Sequence, residues 1–143
     1  MKRLFSIAPW INRVVLSAAT VIFTMIGMRY LADPVGASAN TGVALTTALA
    51  ATTTRIGFGA FPLAIAIFSF LCLLSAQRQR AGVSLVATVV MTAIAVRLWS
   101  IAVDGAVAQS TRLFLPEGAI FVLAMTGLLL EAARRRQQRR TTA

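Results

Sequence analysis

The chain has 143 residues, of which 58% are hydrophobic and only 13% charged, and carries a net charge of +10. A soluble domain runs at roughly 45–50% apolar and about 25% charged; a core of this length cannot bury so much apolar surface, so lipid must cover the rest. There is no histidine and one cysteine, Cys72. That excludes an intrachain disulfide and a thiolate metal cluster, and removes the commonest general base and zinc ligand.

Four apolar runs follow in chain order: residues 14–31, 56–76, 83–103 and 113–133. Each has roughly 18–21 residues, the length that crosses about 30 Å of hydrocarbon as a helix. Backbone left unpaired in lipid is too costly for other conformations. The expected fold is therefore all-α: an integral membrane four-helix bundle over 14–133, an N-terminal segment over 1–13 and a basic tail over 134–143. Asp33-Pro34 and Gly36 end the first helix. The alanine- and threonine-rich stretch 42–54 reads either as a short interfacial helix or as an extension of the second span. Residues 77–82 form a tight polar turn, which makes helices two and three antiparallel neighbours. The third link, around 104–112, is also short. The first run is read as a retained span. The rival is a cleaved signal ending near Ala37-Ser38-Ala39, but the run is long for a signal and Arg29 and Asp33 intervene. Cys72, inside an apolar run, reads as a small buried hydrophobe.

With four spans, the N-terminus, the 77–82 turn and the C-terminus share one side. That side holds ten of the fourteen basic residues and one acid, Glu131. The other holds Arg29, Arg55, Arg97 and Arg112 with Asp33, Asp104 and Glu117. The positive-inside rule makes the first side cytoplasmic, so both termini are expected there. Trp10 fits the inner interface; Tyr30, Trp99 and Phe114 fit the outer one. Arg134, Arg135, Arg136, Arg139 and Arg140 serve as a topology anchor or contact anionic lipid. No aromatic residues interleave them, which argues against nucleic acid. Glu131 and Arg135, four apart, suit a local helix pair.

Charges within a membrane are costly and mark candidate sites. Arg97, near the end of the third helix, lies about 9 Å below the outer boundary, and Glu117, near the start of the fourth, about 6 Å. Pro62 in the second helix is again about 9 Å deep. Pro62 has no amide hydrogen, so the Phe58 carbonyl loses its helical partner. Arg97 offers five donors in a planar fork and can hold Glu117 bidentately. Asp104 lies on the Arg97 face, nearly two turns on. Arg55 precedes Gly57 and Gly59, which allow close helix approach. The expected cluster is Arg55, Arg97, Asp104 and Glu117. It would act as structural glue or as a site for a ligand or partner, unless Arg97 only snorkels to the interface. One acid beside arginines is a poor proton donor or base near neutrality, and no nucleophile accompanies it. No catalytic residue, metal or cofactor is expected.

The pieces Asp33-Pro34, Arg55-Ile56-Gly57-Phe58-Gly59, Arg97-Leu98 with Asp104-Gly105, and Pro116-Glu117 resemble a bacterial family catalogued as domain of unknown function 4345. The resemblance spans roughly residues 14–133. In the family pattern an Arg, an aromatic and paired glycines open the second helix; here Phe58 separates Gly57 from Gly59. The resemblance implies a small four-helix inner-membrane protein and supplies no activity.

Three functions compete. The first is an accessory membrane subunit, or a bundle binding an amphipathic ligand; its partners would be membrane lipids, other membrane helices or a second copy. Ala87, Ala93 and Ala95 suit such helix contacts. The second is an oligomeric small-molecule transporter, although no ionisable group lies near the midplane. The third is a lipid-modifying enzyme, for which the residue inventory is poorest.

Overall fold

The computed structural model describes residues 2–105 and 117–133, and within them every regular element is helical. Helix α1 runs Lys2–Ala32, α2 Pro34–Ala39, α3 Ala48–Thr54, α4 Phe61–Leu73 and α5 Gln79–Asp104, with a π-helical segment, Arg55–Ala60, joining α3 to α4. The last described helix, α6, covers 117–133 of the described residues. Two compact units share the chain: one holds Met1–Leu16 with the chain from Cys72 onward, the other Ser17–Leu71.

Three of these helical stretches are long and apolar enough to cross a membrane: Pro9–Ala32, Ala48–Leu73 and Gln79–Asp104. Within an 18-residue apolar part of each, only 17–22% is buried by protein, and apolar side chains such as Met25, Phe61 and Val96 are exposed. Such faces are stable against lipid, which is as apolar as they are. The described part of α6 is roughly 25 Å long.

The helices overrun the apolar runs that define them. Helix α1 begins at Lys2 rather than near residue 14, because a change to basic residues ends the hydrophobic stretch without ending helical propensity. The second stretch starts at Ala48 and ends at Leu73 rather than spanning 56–76. Of the two readings of 42–54, its later half extends the second span: α3 passes into the π segment without a break. The turn lies over 74–78 rather than 77–82. There the Ser75 carbonyl accepts from the amides of both Arg78 (2.9 Å) and Gln79 (3.1 Å), and the latter opens α5. The polar residues thus belong partly to the helix.

Caps fix the remaining ends. Asp33 caps α2, its Oδ1 accepting from the Gly36 amide at 2.9 Å, with Pro34 next as a first helical residue. Asn40 closes that helix by donating to the Gly36 carbonyl. The chain then turns at Gly42, whose φ of +81° suits glycine. Thr47 caps α3 through the Ala50 amide. Helix α5 stops at Gly105, left-handed at φ +68°, with its amide on the Ile101 carbonyl.

Candidate functional site: an ion pair between helices

In the unit that contains α5 and α6, an ion pair among the described residues joins the two helices. Arg97 donates from Nε to Glu117 Oε2 at 3.0 Å and from Nη2 to Oε1 at 2.6 Å. This is a side-on, bidentate arrangement of fork and carboxylate. The side chains are 22% and 25% accessible, so the pair is neither sealed in a core nor free in solvent. Position explains the meeting. Arg97 stands near the end of α5, and Glu117 is in the first described turn of α6. In a low-dielectric surround such a pair resists separation, because either charge alone would be left unpaired.

The other residues of the expected cluster are placed as follows. Asp104 sits in the last turn of α5, exposed, and makes no ion pair among the described residues. Arg55 opens the π segment, and its Nε donates to the Leu31 carbonyl at 3.3 Å. It therefore satisfies one of the orphan carbonyls at the α1 terminus. Pro62 falls in the first turn of α4 without breaking the rod. The helix instead widens just before it: the Phe61 amide donates to Ile56, five residues back. A π register of this kind re-pairs the backbone around a proline that lacks a donor. Tyr30 and Phe58 lie ring to ring at 5.3 Å beside it.

The two glycines of the segment differ. A Cβ at Gly59 would meet the Leu31 side chain at 2.9 Å, whereas one at Gly57 would meet nothing within 4 Å. Among the described residues close packing is found at Gly59 and not at Gly57, although the sequence suggested both. The partner glycine is Gly27 on α1, which sequence reasoning passed over because a lone glycine in an apolar run has no distinctive pattern. The basic residues 134–140, with Arg112 and Phe114, lie outside the described residues.

Sequence reasoning also missed the buried polar side chains. Asn12, Ser69 and Gln79 are each at most 4% exposed. The Asn12 Oδ1 lies against Gly127 of α6 and, like the Ser69 hydroxyl, has no hydrogen-bond partner among the described residues. Asn12 stands between Ile11 and the basic Arg13, which itself packs 5.6 Å over the Trp10 ring; that setting reads as interfacial, not buried.

These features define an all-helical chain with three helices fit to cross a membrane and an ion pair at the end of the third. The chain belongs to the family described as Domain of unknown function (DUF4345), whose model matches residues 11–116. The match begins slightly before and ends well short of the 14–133 span of the resemblance. It takes in Arg55, Arg97 and Asp104 and stops just short of Glu117. No curated protein and no solved structure matches the chain.

Proposed function

We propose that this chain is a small bundle of the bacterial inner membrane that crosses four times, with both ends cytoplasmic, and binds an amphipathic ligand at its outer end. The side-on pairing of Arg97 with Glu117 carries this reading. It supplies a fixed, partly accessible polar anchor among otherwise apolar helices, the common design of a site for a molecule with one polar end. The topology is supported by the charge asymmetry between the two sides and by the three helices of spanning length. The bundle is proposed not to be an enzyme: the pair holds no nucleophile, and both oxygens of the Glu117 carboxylate are committed to the Arg97 guanidinium.

A second reading, an accessory subunit that meets partner helices, is favoured by the small buried share of each span. Purification in a mild detergent separates the two. The ligand reading expects lipid or another amphiphile to be retained by wild type and lost when Arg97 and Glu117 are both replaced by leucine. A co-purifying membrane protein unaffected by that change would favour the subunit reading. A bare monomer that retains nothing would sink both. Reporter fusions at each terminus test the topology, and a signal on opposite sides would overturn four crossings.

A further inference from the structure

Among the described residues, the ion pair leaves part of Arg97 unused. A guanidinium carries five N–H donors, and Glu117 takes only those of Nε and one on Nη2. The edge pointing away from Glu117 keeps three hydrogens, two on Nη1 and one on Nη2. No acceptor for them is found among the described residues.

Depth makes these donors consequential. Helix α5 has 26 residues, about 39 Å against a hydrocarbon thickness of about 30 Å. With the excess shared between the two ends, the Arg97 backbone lies about 6 Å inside the hydrocarbon boundary, since it is about 10 Å below Asp104. Trp99, two residues on and 72% exposed, is the residue type that collects at this boundary. Donors without acceptors are costly there.

Charge narrows the acceptor. Glu117 already neutralises Arg97, and the next charge up the helix is the exposed acid Asp104. Among the described residues of this unit no second cation accompanies the pair, so a further anion would meet no spare positive charge there. A neutral oxygen completes the fork without adding one. The neutral acceptors that a bilayer offers closest to this level, at the hydrocarbon boundary and within reach of the arginine stem, are the ester carbonyls joining acyl chains to glycerol.

We infer that the free edge of Arg97 binds the acyl-ester carbonyl of a membrane lipid. The inference rests on the proposed role of the ion pair as the ligand anchor and specifies which group of the ligand meets it. It treats the site as selective for the linkage and indifferent to the headgroup.

The test uses the full chain in detergent, equilibrated with equal amounts of diester and diether phosphatidylglycerol of matched chain length, and native mass spectrometry to count what is retained. The diether lipid keeps the phosphate and lacks the carbonyls. Wild type is expected to retain the diester form about fivefold more, the scale of one net hydrogen bond. The preference should vanish in the Arg97→Leu, Glu117→Leu double variant and shrink in Arg97→Lys, which keeps the charge without the fork. The lysine variant guards against a double variant that fails to fold. Equal retention of both lipids by wild type overturns the inference, as does a preference that survives in the double variant or is undiminished in the lysine variant. If both lipids bind equally and both are lost in the double variant, the pair is an anchor for the phosphate: the ester inference falls and the proposed function stands. If retention ignores the pair altogether, both fall.

Discussion

The backbones of α1 and the π segment touch at Gly27 and Gly59: a Cβ on Gly27 would lie 2.8 Å from the Gly59 carbonyl oxygen and 2.6 Å from Leu63 Cγ. Neither obstacle yields easily, one being backbone and the other the branch point of a packed side chain. Gly27→Ala should therefore lower stability by about 1–3 kcal/mol, the range for overpacking. Gly59→Ala should cost less, because the atoms it meets, Leu31 Cδ2 at 2.9 Å and Cγ at 3.0 Å, are slightly farther off and belong to a side chain, with no backbone atom nearer than 3.5 Å. Gly57→Ala, with open space around it, should raise stability by roughly 0.5–1 kcal/mol through helix propensity. Thermal unfolding of the three variants in detergent checks the order, and Gly57→Ala proving the most damaging would refute it.

The Arg97–Glu117 pair predicts non-additivity. Removing either partner leaves a charge without its mate, costing up to about 3–5 kcal/mol for a fully buried pair. Partial exposure lowers the expectation here to about 1–3 kcal/mol. Replacing both by leucine should cost less than either single alanine change, because no orphan charge remains. A double-mutant cycle on unfolding midpoints measures the coupling. Additive losses would mean that the two side chains do not depend on each other.

How much of this was legible beforehand depends on the kind of signal. The three spanning stretches follow from apolar length, which is a property of composition. Their ends do not, because lysine, arginine and glutamine continue a helix as readily as they end an apolar run. Thus α1 reaches back to Lys2 and α5 to Gln79. The π segment was half-visible: Pro62 announces a missing donor, but whether a helix kinks, breaks or widens depends on what packs beside it. The same limit applies to the glycines, since only the crossing point on α1 distinguishes Gly59 from Gly57. Counting residues from the helix ends put Arg97 and Glu117 at comparable depths. It does not say which edge of the guanidinium is taken, and so does not reveal the edge left open.

Ser69 offers a test of a buried hydroxyl. It is fully buried on α4, and its Oγ has no partner among the described residues. A serine within a helix commonly donates to the carbonyl four residues back; here that would be Ile65, and the bond is not formed. Ser69→Ala removes an unsatisfied polar atom and almost no volume, so it should raise stability by about 1 kcal/mol. A lower unfolding temperature would show that the hydroxyl does find an acceptor.

Cys72 reports on a three-helix junction. It is 3% exposed, and a Cβ on Gly82 of α5 would lie 2.6 Å from Cys72 Cβ on α4 and 2.8 Å from Leu16 Cδ2 on α1. Three helices close on one glycine, so the thiol is shielded by packing as well as by lipid. A thiol-reactive maleimide should label native protein slowly and label it fully only on unfolding, which makes Cys72 an internal probe of stability. Gly82→Ala pushes against both neighbours at once. It should cost about 1–3 kcal/mol and speed labelling at temperatures where wild type is still protected. Rapid labelling of folded wild type would show that the junction is open. Equal rates in the two proteins would show that Gly82 is not what closes it.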